Sequence, residues 1–264
     1  MQSIATKEQQ IAVKKPAKTV QDLIRQMEPE IKKALPSTIT PERFTRIVLS
    51  ALSTTPQLAA CTPKSFLGAM MTAAQLGMEV NTPLGQCYLI PYKNHGIDEV
   101  QFQLGYKGLI DLAYRGGEVQ TIQAHTVFEN DEFEYEYGLD PKLTHKPAKS
   151  NRGAPIAYYA IFRTKSGGYS FEVMSIDDVK NHRDKFSKAA NRGFSPWQTN
   201  FDEMAKKTVL KQALKYAPMS TDTARSISAD ETIKTEITAD MFAAPDETIT
   251  AEFSDQGEET PDEK

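Results

Sequence analysis

Cysteine is nearly absent from this sequence. Two residues, Cys61 and Cys87, cannot build a disulfide framework and are too few for a zinc or iron–sulfur site without ligands from elsewhere, so a reducing compartment is expected. Long apolar runs are missing too. None approaches the roughly 20 residues needed to cross a bilayer, and MQSIATKEQQIAVKKPAK has no apolar centre of the kind a secretion signal requires, so a cytoplasmic protein is expected. The phosphate-loop pattern GxxxxGK followed by Ser or Thr does not occur, and the glycines of GYKG at 105–108 do not give dinucleotide spacing, so standard nucleotide loops have no support. His95, His125, His145 and His182 are scattered without metalloprotease spacing. Even strong charge is lacking: the formal total of −4 over 264 residues argues, by itself, against a polyanion binder.

That total averages two unlike parts. Residues 221–264 hold 13 acidic and three basic side chains, whereas 1–220 carry a net +6 and 142–215 a net +9. The acidic stretch, ending AEFSDQGEETPDEK, is poor in large apolar groups and reads as a largely disordered tail. Its charge suits a solubilising extension, an interaction tail, or an internal competitor for a basic surface. The expected organisation is a flexible arm at 1–18, a core at 19–220 and the acidic tail at 221–264.

Within the core, a helix is expected from Thr19 to Leu35, with Pro29 as a kink or division. Thr40-Pro41 and Thr62-Pro63 are cap-plus-first-turn signals, and Gly77 is a stop for the second of these helices. The pattern then changes to period two. CYLIPY and EVQFQLGY flank KNHGID as a hairpin, VQTIQAHTVF and FEYEYG continue as strands, and PIAYYAIFRT and YSFEVM form a second hairpin around KSGG. Ser175 with Asp178 starts a helix as a capping box, and a last helix runs from about Asn200 to Tyr216. The fold class is α+β: a central antiparallel β-sheet with packed helices on one face and its edges left for pairing.

Three segments concentrate the chemistry. DEMAKKTVLKQALKY sets Lys207, Lys211 and Lys215 four apart on one ridge, with Lys206 beside them, while Ala205, Val209 and Ala213 form an apolar ridge. KNHRDKFSKAANRGFSPWQTN mixes Lys180, Arg183, Lys185, Lys188 and Arg192 with Phe186, Phe194 and Trp197, cations for phosphates and rings for unpaired bases or for the core. GYKGLIDLAYRGG adds Tyr106, Lys107 and Arg115, with Gly105 and Gly108 permitting close approach of another backbone. Asp98, Glu99 and Asp111 are the carboxylates a metal-dependent nuclease would use. The acidic strand FENDEFEYEYG repels phosphate and is expected away from any nucleic-acid groove. On residue chemistry alone, a nucleic-acid-binding body, a scaffold and an unidentified enzyme all stay open.

QFQLGYKGLIDLAYRGGEVQTI at 101–122, VFENDEFEYEYG, LGMEVNTPLGQCYLIPY at 76–92 and FSKAANRGFSPWQTNFDEMAKKTVLKQALKY at 186–216 together resemble the RecT family of phage and prophage single-strand annealing proteins, over roughly residues 20–220. The resemblance implies an ATP-independent recombinase in phage homologous recombination, without covalent catalysis. Such a protein binds single-stranded DNA, pairs complementary strands into a duplex intermediate and promotes strand invasion. It further implies a homo-oligomer, as ring or helical filament, a phage exonuclease partner, a host single-strand-binding protein, and a nucleoid association when DNA-bound. No cofactor is required, Mg2+ entering only as a modulator of DNA binding. The implied fold is the Rad52-type annealing fold. The DNA-binding candidates are Tyr106, Lys107, Arg115, Arg183, Lys185, Lys188, Arg192, Phe194, Trp197, Lys206, Lys207, Lys211 and Lys215. The competing readings are a DNA-binding adaptor without annealing activity and a metal-dependent nuclease.

Overall fold

Helix starts are set by hydroxyl caps where the sequence signals them. The computed structural model describes residues 19–187, 195–219, 221–234 and 236–248, so the arm at 1–18 lies outside the described residues. Thr40 Oγ1 accepts from Arg43 N and Thr62 Oγ1 from Ser65 N, opening α3 (Pro41–Thr54) and α5 (Pro63–Leu76). Ser175 and Asp178 form the full capping box of α7 (Ile176–Phe186), at 3.0 and 3.1 Å. The helix expected over 19–35 is divided into α1 (Val20–Gln26) and α2 (Glu28–Ala34) at Met27. Pro29 supplies no N–H and its ring would strike a carbonyl one turn back, so it stands in the first turn of a new helix instead. A short α4 (Gln57–Ala60) leads into α5, whose C-cap Gly77 takes the left-handed conformation at φ 59°.

The strands form more than one sheet. β1 (Cys87–Asn94) and β2 (Ile97–Leu104) make the expected hairpin, tightened to a two-residue turn by His95 and Gly96, both at positive φ. β3 (Val119–Phe128), β6 (Pro155–Thr164) and β7 (Tyr169–Ser175) make a separate antiparallel sheet in the order β3-β6-β7. Between β3 and β6 the chain projects a two-stranded arm, β4 (Glu132–Glu136) with β5 (Lys142–Lys146). The single central sheet is therefore replaced by a mixed α/β architecture of antiparallel sheets with packed helices. The reason is local. Leu104 at the end of β2 runs straight through Gly105 into α6 (Tyr106–Arg115), which carries the chain away before β3 can pair beside β2.

Gly105 and Gly108 serve this turn. A Cβ on Gly105 would lie 2.1 Å from Gly85 O, and one on Gly108 2.1 Å from Gln86 O. The backbone that approaches them is the protein's own 85–86 segment, not that of a nucleic acid or a second subunit.

The base of the arm is locked by Asp131. Its carboxylate accepts two bonds from Arg152, at 3.0 and 2.5 Å, one from Ala148 N and one from Phe128 N, and meets His145 Nε2 at 3.0 Å. Arg152 first, together with these backbone donors, holds the Asp131 carboxyl well below the usual carboxylate range.

α5 covers one face of β1–β2, while α9 (Phe201–Leu214) lies across β3, β6 and β7 and touches α6. Ala205, Val209 and Ala213 are buried as expected. The largest revision concerns the acidic stretch. Residues 221–248 contain α10 (Thr221–Ser228), β8 (Thr232–Lys234) and β9 (Asp246–Thr248), and β8 pairs antiparallel with β2 at Phe102↔Thr232. The expected tail boundary at 220 does not end the folded body. Few apolar groups are needed here because Met241 and Ala244 bury against the existing core, Ile233 is buried on β8, and the polar groups find partners on α9 and β2.

Gly105→Ala and Gly108→Ala each drive a methyl into a carbonyl oxygen, and each is expected to destabilise the fold by about 2–3 kcal/mol or more, read as a lowered urea midpoint at unchanged slope.

Candidate nucleic-acid interface

β2 alternates. Phe102 and Leu104 turn into the core, leaving Gln101 and Gln103 on the other face with Tyr92 of β1. Opposite them stands α9, and over them lie α7 and the short α8 (Pro196–Thr199). A cleft of about 580 Å³ runs between these walls. Arg183, Lys207, Lys211 and Lys215 line it, with Tyr92, Phe186 and Trp197 as its rings. Met219, Ala224 and Ile227 also line it, as do two acids, Asp230 and Glu231, beside Lys207.

These acids are paired. Lys207 Nζ donates to Asp230 at 2.9 Å and to Glu231 at 2.8 Å, and Lys211 Nζ donates to Asp230 at 2.9 Å. Asp230 also accepts from Leu104 N at 2.7 Å. Burial works to depress the Lys207 pKa, but Asp230 and then Glu231 outweigh it and the net shift is upward. Lys207, then Lys211, hold the Glu231 carboxyl below its ordinary value against the effect of burial. His182, facing the same cleft, is pushed down by burial and then by Lys211.

The thirteen candidates separate accordingly. Arg183, Trp197, Lys207, Lys211 and Lys215 meet in the cleft. Lys185 does not line it; its Nζ lies 5.3 Å from the centre of the Phe186 ring, which does and is 63% exposed. Tyr106, Lys107 and Lys206 form a second group at the start of α6, with Lys206 Nζ 6.0 Å over the Tyr106 ring and bonded to Asp202. Lys188, Arg192 and Phe194 lie outside the described residues.

Two expectations are corrected and one open choice is narrowed. Lys207 is not on a solvated ridge: it is 2% exposed, and Asp230 and Glu231 in the turn before β8 bond to its ammonium. Trp197 is 6% exposed and packs edge-on against Phe201 at 5.8 Å, which is the core-anchoring role of the two that its sequence leaves open. Arg115 is spent on structure, its guanidinium bonded to Leu76 O, to Gly77 O at 3.4 Å and to Asp111 at 2.5 Å, which caps the end of α5.

The nuclease candidates are dispersed. Asp111 is held by Arg115 and by Gln86 at 3.2 Å, and Glu99 accepts from Asn94 at 2.9 Å. Among the described residues no group of three His, Cys, Asp or Glu side chains is arranged to hold a metal, and no helix is long and apolar enough to cross a membrane.

Two sets of cleft residues escaped the sequence reading. Gln101 and Gln103 carried a usable signal, since amides alternating with Phe102 and Leu104 mark a strand whose second face meets something polar. Asp230 and Glu231 carried none, lying in a stretch whose composition alone reads as solvated.

Fold and cleft define a mixed α/β protein with a cation-lined, ring-edged groove suited to an extended anion. The model of the RecT family matches residues 42–245, a span that takes in every element of the cleft. The chain is 40% identical over 233 residues to Protein RecT of Escherichia coli (strain K12), covering 86% of this chain and 84% of that one. It is 30% identical over 217 residues to the uncharacterized protein YqaK of Bacillus subtilis (strain 168), covering 82% and 73%. The chain belongs to the RecT family.

Lys207→Ala leaves Asp230 buried with less compensation, and a loss of about 3–5 kcal/mol is expected in urea unfolding, against within about 0.5 kcal/mol for Lys215→Ala. The sign with pH follows from the depressed Glu231 carboxyl: its contribution is fully present above the ordinary value of 4.5 and is lost as pH falls below it. The urea midpoint of the native protein is expected to drop more between about pH 5 and pH 3 than that of Glu231→Gln.

Proposed function

We propose that this protein binds single-stranded DNA along the cleft and anneals it to a complementary strand without ATP. The observation that carries the reading is the convergence, in one open cleft, of Arg183, Lys211 and Lys215 with the exposed Phe186 ring, in a chain of the RecT family. Cations there neutralise phosphates without reading sequence, and a ring edge at the rim supports unpaired bases by stacking. Annealing breaks no covalent bond. The protein's contribution is to hold a strand extended with its pairing edges available, so that a second strand samples register before local hairpins close, and duplex formation supplies the free energy.

The second basic group, Tyr106, Lys107 and Lys206, lies at the start of α6 and serves as the contact for a further stretch of strand or for the nascent duplex. Adjacent copies of the chain, in a ring or filament, extend one cleft into a continuous track, which is how a single polypeptide of this size manages long strands. The finer fold reading is the Rad52-type annealing fold, supported by an antiparallel sheet with a helix lying across it. An exonuclease that exposes single strands and a host single-strand-binding protein are the partners such an activity requires, and Mg2+ modulates phosphate repulsion without a dedicated site.

Stopped-flow mixing of complementary labelled oligonucleotides tests the function. Accelerated pairing in the absence of ATP is expected, and binding without acceleration would favour an adaptor. Lys211→Glu with Lys215→Glu is expected to weaken single-strand binding by about tenfold or more at low salt and to flatten the log–log salt slope by about 1.4, some 0.7 for each phosphate no longer neutralised. Unchanged affinity in the folded double variant would move the strand out of the cleft.

A further inference from the structure

The acids of the cleft come from a segment that is buried apart from Glu231 and paired with β9 on one edge, but whose ladder with β2 on the other is short. β8 has three residues and meets β2 at the single pair Phe102↔Thr232, with Glu231 N bonded to Phe102 O at 2.9 Å and Gln101 Nε2 to Glu231 O at 2.8 Å. Glu231 itself sits at φ 65°, a left-handed conformation that costs a residue bearing a Cβ on the order of 1 kcal/mol or more. The Asp230 carboxylate gathers three donors, Lys207 Nζ, Lys211 Nζ and Leu104 N, at 2.9, 2.9 and 2.7 Å. Two ammonium groups and a backbone N–H converging on one set of anionic oxygens is also how a protein holds a phosphate.

We propose that residues 229–234 are a releasable acidic strap, in which Asp230 and Glu231 occupy positions that DNA phosphates take on Lys207 and Lys211. This rests on the reading that single-stranded DNA lies in the cleft. Without a polyanion, opening the strap leaves Lys207 with no compensating charge, so the closed form dominates. A strand that already engages Arg183 and Lys215 brings its next phosphates to Lys211, supplies the missing negative charge and makes opening favourable. Isolated anions and short fragments lack the anchoring contacts and do not displace the strap. The device selects for length of single strand.

Glu231 is the residue to change, being 40% exposed on its side chain, whereas Asp230 is fully buried. Glu231→Gln is compared with Glu134→Gln, the same change of net charge on the exposed face of the arm. Binding of a long oligothymidylate is expected to tighten on the order of three- to tenfold for Glu231→Gln beyond any gain from Glu134→Gln, with a salt slope steeper by up to about 0.7 for each lysine released. Hydrogen exchange on the native protein gives a second readout. Amides of 231–234 are expected to lose protection when oligothymidylate binds and to keep it with a dinucleotide. Equal affinities for the two variants, with unchanged exchange at 231–234 in a protein that binds DNA normally, would overturn the strap and leave the cleft reading intact. Failure of the native protein to bind oligothymidylate at all would instead overturn the cleft reading.

Discussion

A buried ammonium group cannot be left alone. Lys207 lies inside the turn of α9 that faces β2, and at 2% exposure its charge persists only because Asp230 and Glu231 reach it. That requirement joins three parts of the chain that are far apart in sequence: the helix that lies across the β3-β6-β7 sheet, the free edge of the β1-β2 hairpin and the acidic stretch after residue 220. Remove it and the hairpin loses the strand that covers its edge, α10 loses its continuation and the cleft loses its two acids.

The same constraint sorts the lysines of α9 by duty. Lys207 and Lys211 share Asp230, whereas Lys215, one turn on, is exposed and its ammonium bonds to Gln212 of its own helix, at 2.5 Å. A ridge of identical residues at four-residue spacing thus grades from a structural ion pair to a surface cation.

Much of this was legible in the sequence where local chemistry decides. Thr40-Pro41, Thr62-Pro63 and Ser175 with Asp178 begin helices because their side chains satisfy backbone donors a few residues away. His95-Gly96 turns a hairpin because both residues tolerate positive φ. What was not legible depends on distant partners. Nothing near Lys207 in sequence distinguishes it from Lys215; Asp230 and Glu231, 23 and 24 residues on, do so. Trp197 and Arg115 likewise looked like candidates for contact because their roles, packing on Phe201 and capping α5 across 39 residues, are set by the tertiary fold. The acidic stretch misled for a related reason, since its composition counts charges but not the cations waiting for them.

The central claim is that the strand lies in the cleft between β2 and α9. Photocrosslinking with a single strand carrying 5-iododeoxyuridine at successive positions, followed by peptide mapping, addresses it directly. Crosslinks at Tyr92, Phe186 and the α9 peptide are the predicted result. Crosslinks confined to the exposed rings of the arm, Tyr135 and Tyr137, with none in the cleft, would contradict it.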